Sequence, residues 1–192
     1  MNALDLPFDP GRGWRETADP TLLRRAAQQA PGAVEELVAR HADRLCSFLV
    51  RIVRDTAWAE DLTQETLLRA LQESANYDAR WPLRTWLFRI ARNLALDHLR
   101  REGALRAREQ DARDGTFAPA AVVTVEHLEF QGALERALQQ LPEEFRTVFV
   151  LRDGEGLAYE EIAAVLGISA KTVSSRLHRA RTQLRALLGR HS

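Results

Sequence analysis

The stretch Tyr159–Arg181, YEEIAAVLGISAKTVSSRLHRAR, decides the fold of the C-terminal part of this 192-residue chain. Apolar residues recur at helical spacing on both sides of Gly167, which predicts two amphipathic helices joined by a tight turn. Ser169 stands where its hydroxyl can accept a hydrogen bond from the free amides of the second helix. The side chains predicted to point outward are short polar groups and cations: Lys171, Thr172, Ser174, Ser175, Arg176, His178 and Arg179.

This pattern is typical of a helix-turn-helix. In that motif the first helix braces the second, whose early residues reach base edges in the DNA major groove. An ordinary helical hairpin with a solvated basic face is the alternative interpretation. The tight turn, the capping serine and the one-sided placement of the cations together favour DNA binding.

Charge is distributed unevenly along the chain, although 27 basic residues balance 27 acidic residues overall. Six acidic residues accompany one arginine between Asp55 and Asp78, whereas eight arginines accompany two acidic residues between Arg80 and Arg108. Basic blocks can neutralise phosphates, and an acidic block suits a basic protein partner. Local charge therefore predicts contacts with nucleic acid and with a second protein.

The single cysteine, Cys46, lies among apolar residues and cannot form an internal disulfide, which fits a reducing compartment. No apolar run approaches membrane-spanning length, and the N-terminus lacks the pattern of a secretory signal. We therefore expect a cytoplasmic protein without membrane insertion. Cys46, His41 and His98 do not have the spacing of metal ligands, so we expect neither a metal nor another cofactor.

Every segment with a regular apolar pattern has the helical period, so the predicted fold is all-α, with two small domains. The predicted organisation is a flexible tail (1–20), a helical bundle (21–108), a flexible linker (109–124) and a helix-turn-helix domain (125–190). A long helix is predicted from about Ala33 to Arg54. Its inner stripe consists of Leu37, His41, Leu45, Phe48, Leu49 and Ile52.

Two carboxylates, Asp61 and Glu65, are four residues apart on a predicted helix and share one face with Gln64. We expect no basic residue of the same helix to pair with them. A solvated acidic face and a catalytic carboxylate pair are the alternatives to a protein-binding face. No glycine-rich loop, metal-ligand set or candidate nucleophile accompanies the pair, so we predict that the chain is not an enzyme.

Aromatic residues and arginines alternate from Tyr77 to His98. Aromatic rings can stack on unpaired bases while guanidinium groups follow the phosphates, a combination expected of single-strand binding. The alternative is that Trp86 and its neighbours form core while the arginines are merely solvated. We expect both to hold in part, with Trp86 mostly buried and with Tyr77, Trp81 and the arginines partly functional.

Four blocks of the chain resemble the bacterial RNA polymerase sigma factors, with the greatest likeness to the small extracytoplasmic-function (ECF) group. They occur in the family's order: DLTQETLLRA (Asp61–Ala70), LRTWLFRIARNLALDHLRR (Leu83–Arg101), LPEEFRTVFVLRDGEGLAYEEIAAVLGIS (Leu141–Ser169) and KTVSSRLHRARTQLR (Lys171–Arg185). The resemblance implies a sigma region 2 bundle and a sigma region 4 helix-turn-helix joined by a flexible linker. It also implies a protein that directs promoter-specific transcription initiation and performs no chemistry.

The resemblance further implies a role for each candidate residue. Docking on the β′ clamp helices of core RNA polymerase falls on Asp61, Gln64 and Glu65, with the β flap as a second polymerase contact. Recognition and melting of the −10 promoter element falls on Asn76, Tyr77, Asp78, Arg80, Trp81, Arg84, Arg89, Arg92 and Asn93. Reading of the duplex −35 element falls on Lys171, Thr172, Ser175, Arg176 and Arg179. An anti-sigma factor is a further implied partner.

A stand-alone DNA-binding regulator and a DNA-processing enzyme are the alternative functions. A stand-alone repressor or activator would need a dimer to read paired half-sites, and no dimerisation segment is obvious. A DNA-processing enzyme would need an identifiable nucleophile, and none is visible. Neither alternative explains the acidic face together with the aromatic and arginine-rich segment.

Overall fold

The computed structural model describes residues 14–110 and 127–189, with side chains described for 14–104 and 132–189. These residues form eight α-helices and contain no β-strand, which confirms the all-α prediction. The helices are α1 (Asp19–Ala27), α2 (Ala33–Val53), α3 (Thr56–Gln72), α4 (Leu83–Gln110), α5 (His127–Gln140), α6 (Glu143–Phe149), α7 (Tyr159–Leu166) and α8 (Ala170–Leu188).

Helix α2 is the central helix of the N-terminal half, residues 14–110. All six residues of its predicted inner stripe are buried, because their spacing places them on one side of a 3.6-residue helix. Phe48 packs edge-to-face against Phe88 of α4, with the ring centroids 5.2 Å apart. Helices α2, α3 and α4 pack against one another. This packing fixes the directions in which α3 and α4 present their outer faces.

The predicted tail, residues 1–20, is packed against the bundle from Trp14 onward, and residues 1–13 lie outside the described residues. Arg40 of α2 accounts for this packing. Its guanidinium donates hydrogen bonds to the backbone carbonyls of Trp14 and Thr17 and to Asp19 Oδ1, the last at 2.9 Å. The indole of Trp14 also donates to the carbonyl of Pro31. These partners are distant in sequence, so no local sequence pattern could indicate that residues 14–19 pack against α2.

Because Asp19 can be protonated, the stability that these contacts contribute depends on pH in a predictable way. The His41 imidazole, whose Nε2 atom lies 3.5 Å from Asp19 Oδ2, holds the pKa of Asp19 below its ordinary value; burial opposes this effect and Arg40 reinforces it. A carboxyl group whose pKa is lower in the folded state stabilises the fold at neutral pH, and this stabilisation is lost as the pH falls below about 4.

We therefore expect Asp19→Asn to destabilise the protein at neutral pH, with a loss that shrinks as the pH is lowered to about 3.5. Chemical denaturation across this pH range is the measurement. Asp43→Asn, on the exposed face of α2, serves as the control. A destabilisation that stays constant with pH would contradict the role given to the Asp19 carboxylate.

The C-terminal half, residues 127–189, confirms the predicted turn and cap. Gly167 has a φ of 66°, a left-handed conformation that glycine adopts at low cost, and it ends α7. The hydroxyl of Ser169 accepts a hydrogen bond from the amide of Thr172 at 3.1 Å and so caps α8. The buried residues of α8 are those predicted: Val173, Leu177, Ala180 and Leu184.

Some boundaries differ from the predictions. Helix α4 continues to Gln110, two residues into the predicted linker, and 111–126 lie outside the described residues. Pro142 occupies the N-cap of α6. After Phe149 the chain continues as one π-helical turn, Val150–Gly154, before the helix-turn-helix begins.

The two halves pack against each other, a contact on which the sequence analysis made no prediction. Leu151, Leu157 and Ile162 of the C-terminal half belong to the same buried apolar cluster as Leu45 and Leu87. Helix α7 lies against α4, and the π-helical turn lies against α2. This contact brings the helix-turn-helix next to the arginine-rich helix.

Candidate nucleic-acid interface

The outer side of α8 carries the residues that were predicted to reach DNA. Lys171, Ser175 and Arg179 are exposed, whereas Thr172 and Arg176 are half-buried. They lie opposite the buried stripe of α8 and near its N-terminal end, so they form one polar and basic surface. The helix-turn-helix geometry inferred from the sequence is therefore present at this end of the molecule.

Arg176 is held by an acidic residue of a neighbouring helix. Its Nη2 atom lies 2.8 Å from a carboxylate oxygen of Glu144 in α6. Lys171 and Arg179 have no ion pair within the described residues. The surface therefore offers two unpaired cations and one guanidinium whose direction is already fixed.

The connection between α3 and α4 is internally bonded. Tyr77 donates its hydroxyl to the carbonyl of Trp81 at 2.7 Å, and its ring lies 5.4 Å from that of Trp86. Asp78 accepts hydrogen bonds from both the amide and the side chain of Arg80. Burial, with smaller effects of Asp19 and Asp78, raises the pKa of Tyr77 above its ordinary value. The neutral phenol of Tyr77 therefore bridges this loop to Trp81, and the exposed Arg80 of the same loop is already paired with Asp78.

The burial of the aromatic residues in this segment agrees only in part with the sequence analysis. Trp86, predicted to be mostly buried, is half-buried, as are Tyr77 and Trp81. Asn76 and Asp78 are exposed at the start of the connection. Phe88, which follows Trp86, belongs fully to the core.

The predicted −10 residues of α4 lie on two different surfaces. Arg89 and Asn93 are exposed and one turn apart, so they share the outer face of α4. Arg84 and Arg92 are half-buried, and the Nε atom of each is buried without a hydrogen-bond partner in the described residues. The structure therefore brings together Arg89 and Asn93 and separates Arg84 from them.

Arg84 faces Glu161 of α7. The Glu161 carboxylate, only 7% exposed as a residue, accepts hydrogen bonds from Thr85 Oγ1 at 2.8 Å and from Arg84 Nη2 at 3.2 Å. It also accepts one from the backbone amide of Ala158 at 2.8 Å, at the start of α7. Burial raises the pKa of Glu161, but these hydrogen bonds outweigh it, so the pKa is lower than usual. An ionised carboxylate thus lies between the two halves.

The acidic surface predicted on α3 is present, with one correction. Asp61 and Gln64 are exposed, but Glu65 accepts a hydrogen bond from Arg69 of the same helix at 2.7 Å. The expectation that no basic residue of α3 would pair with these carboxylates was therefore wrong. The four-residue spacing of Glu65 and Arg69 is that of a helical ion pair and could have revealed it.

Two exposed apolar side chains accompany these carboxylates, and the sequence analysis missed them. Trp58 is 45% exposed and Leu68 is 54% exposed. Because Trp58, Asp61, Glu65 and Leu68 recur every three or four residues, they share one side of α3. We call these four residues and Gln64 the α3 outer face. The indole of Trp58 also lies against the imidazole of His98, with the ring centroids 4.3 Å apart.

Among the described side chains no cluster of three or more His, Cys, Asp or Glu residues could hold a metal ion. No helix in the described part of the chain is long and apolar enough to span a membrane.

Comparison with known proteins identifies both halves. The chain matches the family models for sigma-70 region 2 over residues 37–105 and sigma-70 region 4 over residues 131–184. It is 43% identical over 169 residues to the ECF RNA polymerase sigma factor SigE of Mycolicibacterium smegmatis, covering 86% of this chain and 65% of that protein. It is 31% identical to the ECF RNA polymerase sigma factor SigW of Bacillus subtilis, covering 81% of this chain and 89% of that protein.

A solved structure has the same arrangement of helices. The sigma factor RpoE from Bartonella quintana, in complex with the anti-sigma factor NepR, matches with a TM-score of 0.70 and 28% identity. The match covers 82% of this chain and 98% of that chain. The chain belongs to the sigma-70 family of RNA polymerase sigma factors, in its extracytoplasmic-function group, whose members are DNA-binding transcription initiation factors and not enzymes.

Proposed function

We propose that this sigma factor binds core RNA polymerase through the α3 outer face and reads the −10 and −35 promoter elements with its N-terminal and C-terminal halves. The observation that carries the proposal is the presence, in one chain, of a helix-turn-helix with a polar and basic outer side and of a second exposed basic surface on α4. A stand-alone regulator would use the helix-turn-helix, but it would leave the basic surface on α4 without a role. We place the protein in the cytoplasm, where polymerase and promoters are.

The −35 element is assigned to the outer side of α8. Lys171 and Arg179 are free to contact phosphates, while Thr172, Ser175 and Arg176 are placed to reach base edges. Glu144 holds the Arg176 guanidinium in one direction before DNA arrives, which reduces the conformational entropy that binding has to overcome.

Arg176→Ala is expected to weaken binding to a cognate duplex by about 1–3 kcal/mol and to relax specificity at one base pair. The duplex is first selected from a random library with the unaltered protein, and affinities are then measured by fluorescence anisotropy. Arg185→Ala, at the far end of α8, is the matched control and should change affinity little. Equal losses in both variants, without a change in specificity, would remove the base-reading role from Arg176.

The −10 element is assigned to the connection after α3 and to α4. Exposed Arg89 and Asn93 supply a phosphate contact and a hydrogen-bonding amide, and Tyr77, Trp81 and Trp86 supply aromatic surface for unstacked bases. Holding a base outside the duplex offsets the few kcal/mol, roughly, needed to unstack it. The remaining residues of this assignment are Asn76, Asp78, Arg80, Arg84 and Arg92.

Core polymerase is assigned to the α3 outer face. Asp61 and Gln64 offer acceptors for a basic partner, and Trp58 and Leu68 offer apolar side chains of the kind that dominate binding energy at protein interfaces. A mixed acidic and apolar helix face fits a partner surface of basic and apolar residues, and the β′ clamp helices are the assigned partner. The β flap is assigned to the C-terminal half.

Run-off transcription with purified bacterial core RNA polymerase tests the proposal. The template carries the duplex selected above as its −35 element. Adding the protein should produce a transcript with a single start site, and gel filtration should show the protein co-eluting with the core enzyme. Tight binding of duplex DNA without co-elution would instead favour a stand-alone regulator.

An anti-sigma factor is a further proposed partner, because RpoE, which shares this fold, was crystallised with one. Its binding surface on this chain would overlap the polymerase-binding and DNA-binding faces, since blocking them is the direct way to prevent initiation. Affinity purification of the tagged protein from its native cells tests this idea. Recovery of polymerase subunits alone, under all growth conditions sampled, would argue against such a partner.

A further inference from the structure

We propose that Glu144 of α6 determines the specificity of −35 recognition, although it lies outside α8, by positioning the Arg176 guanidinium at one base pair. Glu144 is a positioning residue in this proposal, because it acts through Arg176. The proposal rests on the base-reading role assigned to Arg176 above. It adds a residue of a neighbouring helix to those that decide which promoter is chosen.

The ion pair between Arg176 and Glu144 joins two helices that pack against each other. The Nη2 atom of Arg176 lies 2.8 Å from Glu144 Oε2, and the two side chains are 28% and 46% exposed. Arg176 lies in the second turn of α8, and Glu144 lies in the first turn of α6. Helix α6 packs against α8, and the four residues that follow Glu144 are all buried. The backbone of Glu144 is therefore fixed relative to α8, and its carboxylate can hold the end of the long arginine side chain.

The other residues assigned to the −35 element have no comparable contact with another helix. The hydroxyl of Thr172 lies 2.8 Å from that of the serine that caps α8, and Ser175 donates its hydroxyl to the carbonyl of Thr172. Both contacts are local, and both side chains are short. Lys171 and Arg179 have no ion pair within the described residues. In the part of the chain that the structure describes, Arg176 is thus the one long side chain of this set that another helix holds.

A guanidinium that is held in one direction increases specificity more than affinity. A free arginine side chain has many rotamers, so it can also donate to neighbouring base edges or to phosphates, which carry no sequence information. A held guanidinium makes its two hydrogen bonds at a single base pair, where a wrong base leaves its donors unpaired. The Glu144 carboxylate also repels phosphates, but this effect is the same for every sequence. Loss of Glu144 should therefore reduce discrimination at the base pair that Arg176 reads.

The first test measures the mobility of the Arg176 guanidinium in the full-length chain without DNA. NMR relaxation of the Nε–H group gives its order parameter, which falls when the side chain becomes mobile. Glu144→Ala removes the carboxylate, and Glu160→Ala is the matched control, because it removes another exposed carboxylate from the first turn of α7. The order parameter should fall in Glu144→Ala and stay unchanged in the control. Equal order parameters in Glu144→Ala and the unaltered chain would overturn the proposal.

The second test measures base discrimination by fluorescence anisotropy. The probes are the duplex selected with the unaltered protein and the three duplexes that replace the base pair at which Arg176→Ala relaxes specificity. Glu144→Ala should lower the ratio of cognate to substituted affinity by about tenfold, the size expected of one bidentate base contact. Glu144→Asp keeps the carboxylate and should retain most of this ratio, whereas Glu160→Ala should change all four affinities by the same factor. An unchanged ratio in Glu144→Ala would overturn the proposal.

Combining Glu144→Ala with Arg176→Ala shows whether Glu144 acts through Arg176. The double variant should discriminate as well as Arg176→Ala alone, because the group to be positioned is absent from both. A further loss in the double variant would mean that Glu144 acts separately, and it would overturn the proposal. Full discrimination by Arg176→Ala would remove the base-reading role and this proposal with it. Absence of run-off transcription with the expected discrimination intact would instead overturn only the proposed function of the whole chain.

Discussion

Reversing both charges on the α3 outer face, by Asp61→Lys with Glu65→Lys, is expected to abolish detectable binding to core RNA polymerase. The exposed Asp61 carboxylate has no ion pair within the described residues, so a basic partner meets it without first breaking a contact. Like charges facing each other across an interface cost several kcal/mol. With two such positions, the affinity should fall by a factor of roughly a thousand or more.

The same change has a small effect on folding that has to be separated from the effect on binding. Glu65→Lys replaces the ion pair with Arg69 by two like charges, which costs the helix a few tenths of a kcal/mol, roughly. Both side chains are about half exposed, so the bundle should remain folded. Circular dichroism and chemical denaturation provide the check.

Glu60→Lys with Glu73→Lys is the matched control for net charge. Both glutamates are exposed at or beside α3, and the double change alters the total charge by the same amount. Because Glu60 and Glu73 lie outside the α3 outer face, polymerase binding should survive. Equal losses in the two double variants would mean that polymerase senses the overall charge of the protein and not this face. Binding retained by the Asp61 and Glu65 variant would refute the assignment.

The features that could be predicted from sequence are those determined by residues that are close together in the sequence. The buried stripe of α2, the left-handed Gly167 and the Ser169 cap all follow from a helical period or from one residue's local preference. The pairing of Glu65 with Arg69 and the exposure of Trp58 and Leu68 also follow from helical spacing. Counting residues around the α3 helix would have predicted them.

Other features depend on residues that only folding brings together. Arg40 binds the Trp14 and Thr17 carbonyls, and Thr85 binds Glu161 from 76 positions away. The sequence does not indicate which distant residue a charged side chain pairs with. From sequence alone, the burial of Arg84 against Glu161 could not be predicted. The division of the α4 arginines between an open face and a covered face therefore had to come from the structure. The assignment of the −10 element to α4 remains a prediction, and it rests on a mixture of aromatic residues and arginines that is local in the sequence.

Phe48→Ala is expected to destabilise the N-terminal half by about 3–5 kcal/mol, a large part of the stability of a typical domain. Phe48 is fully buried in the last third of α2 and packs edge-to-face against Phe88. Removing its ring leaves a cavity between α2 and α4, which the neighbouring helices can close only in part. Because α4 carries Arg89 and Asn93, promoter opening should decline together with stability.

Urea denaturation followed by circular dichroism measures the loss of stability. Two further variants show whether the loss comes from the missing ring volume. Phe48→Leu keeps most of the buried volume and should recover most of the stability. Val38→Ala, on the exposed side of the same helix, should change the free energy of unfolding by no more than about 0.5 kcal/mol. A loss below about 1.5 kcal/mol for Phe48→Ala would mean that α2 and α4 can repack without the ring. The positions of Arg89 and Asn93, the residues proposed to bind the −10 element, would then depend less on this contact than the close packing of the two rings implies.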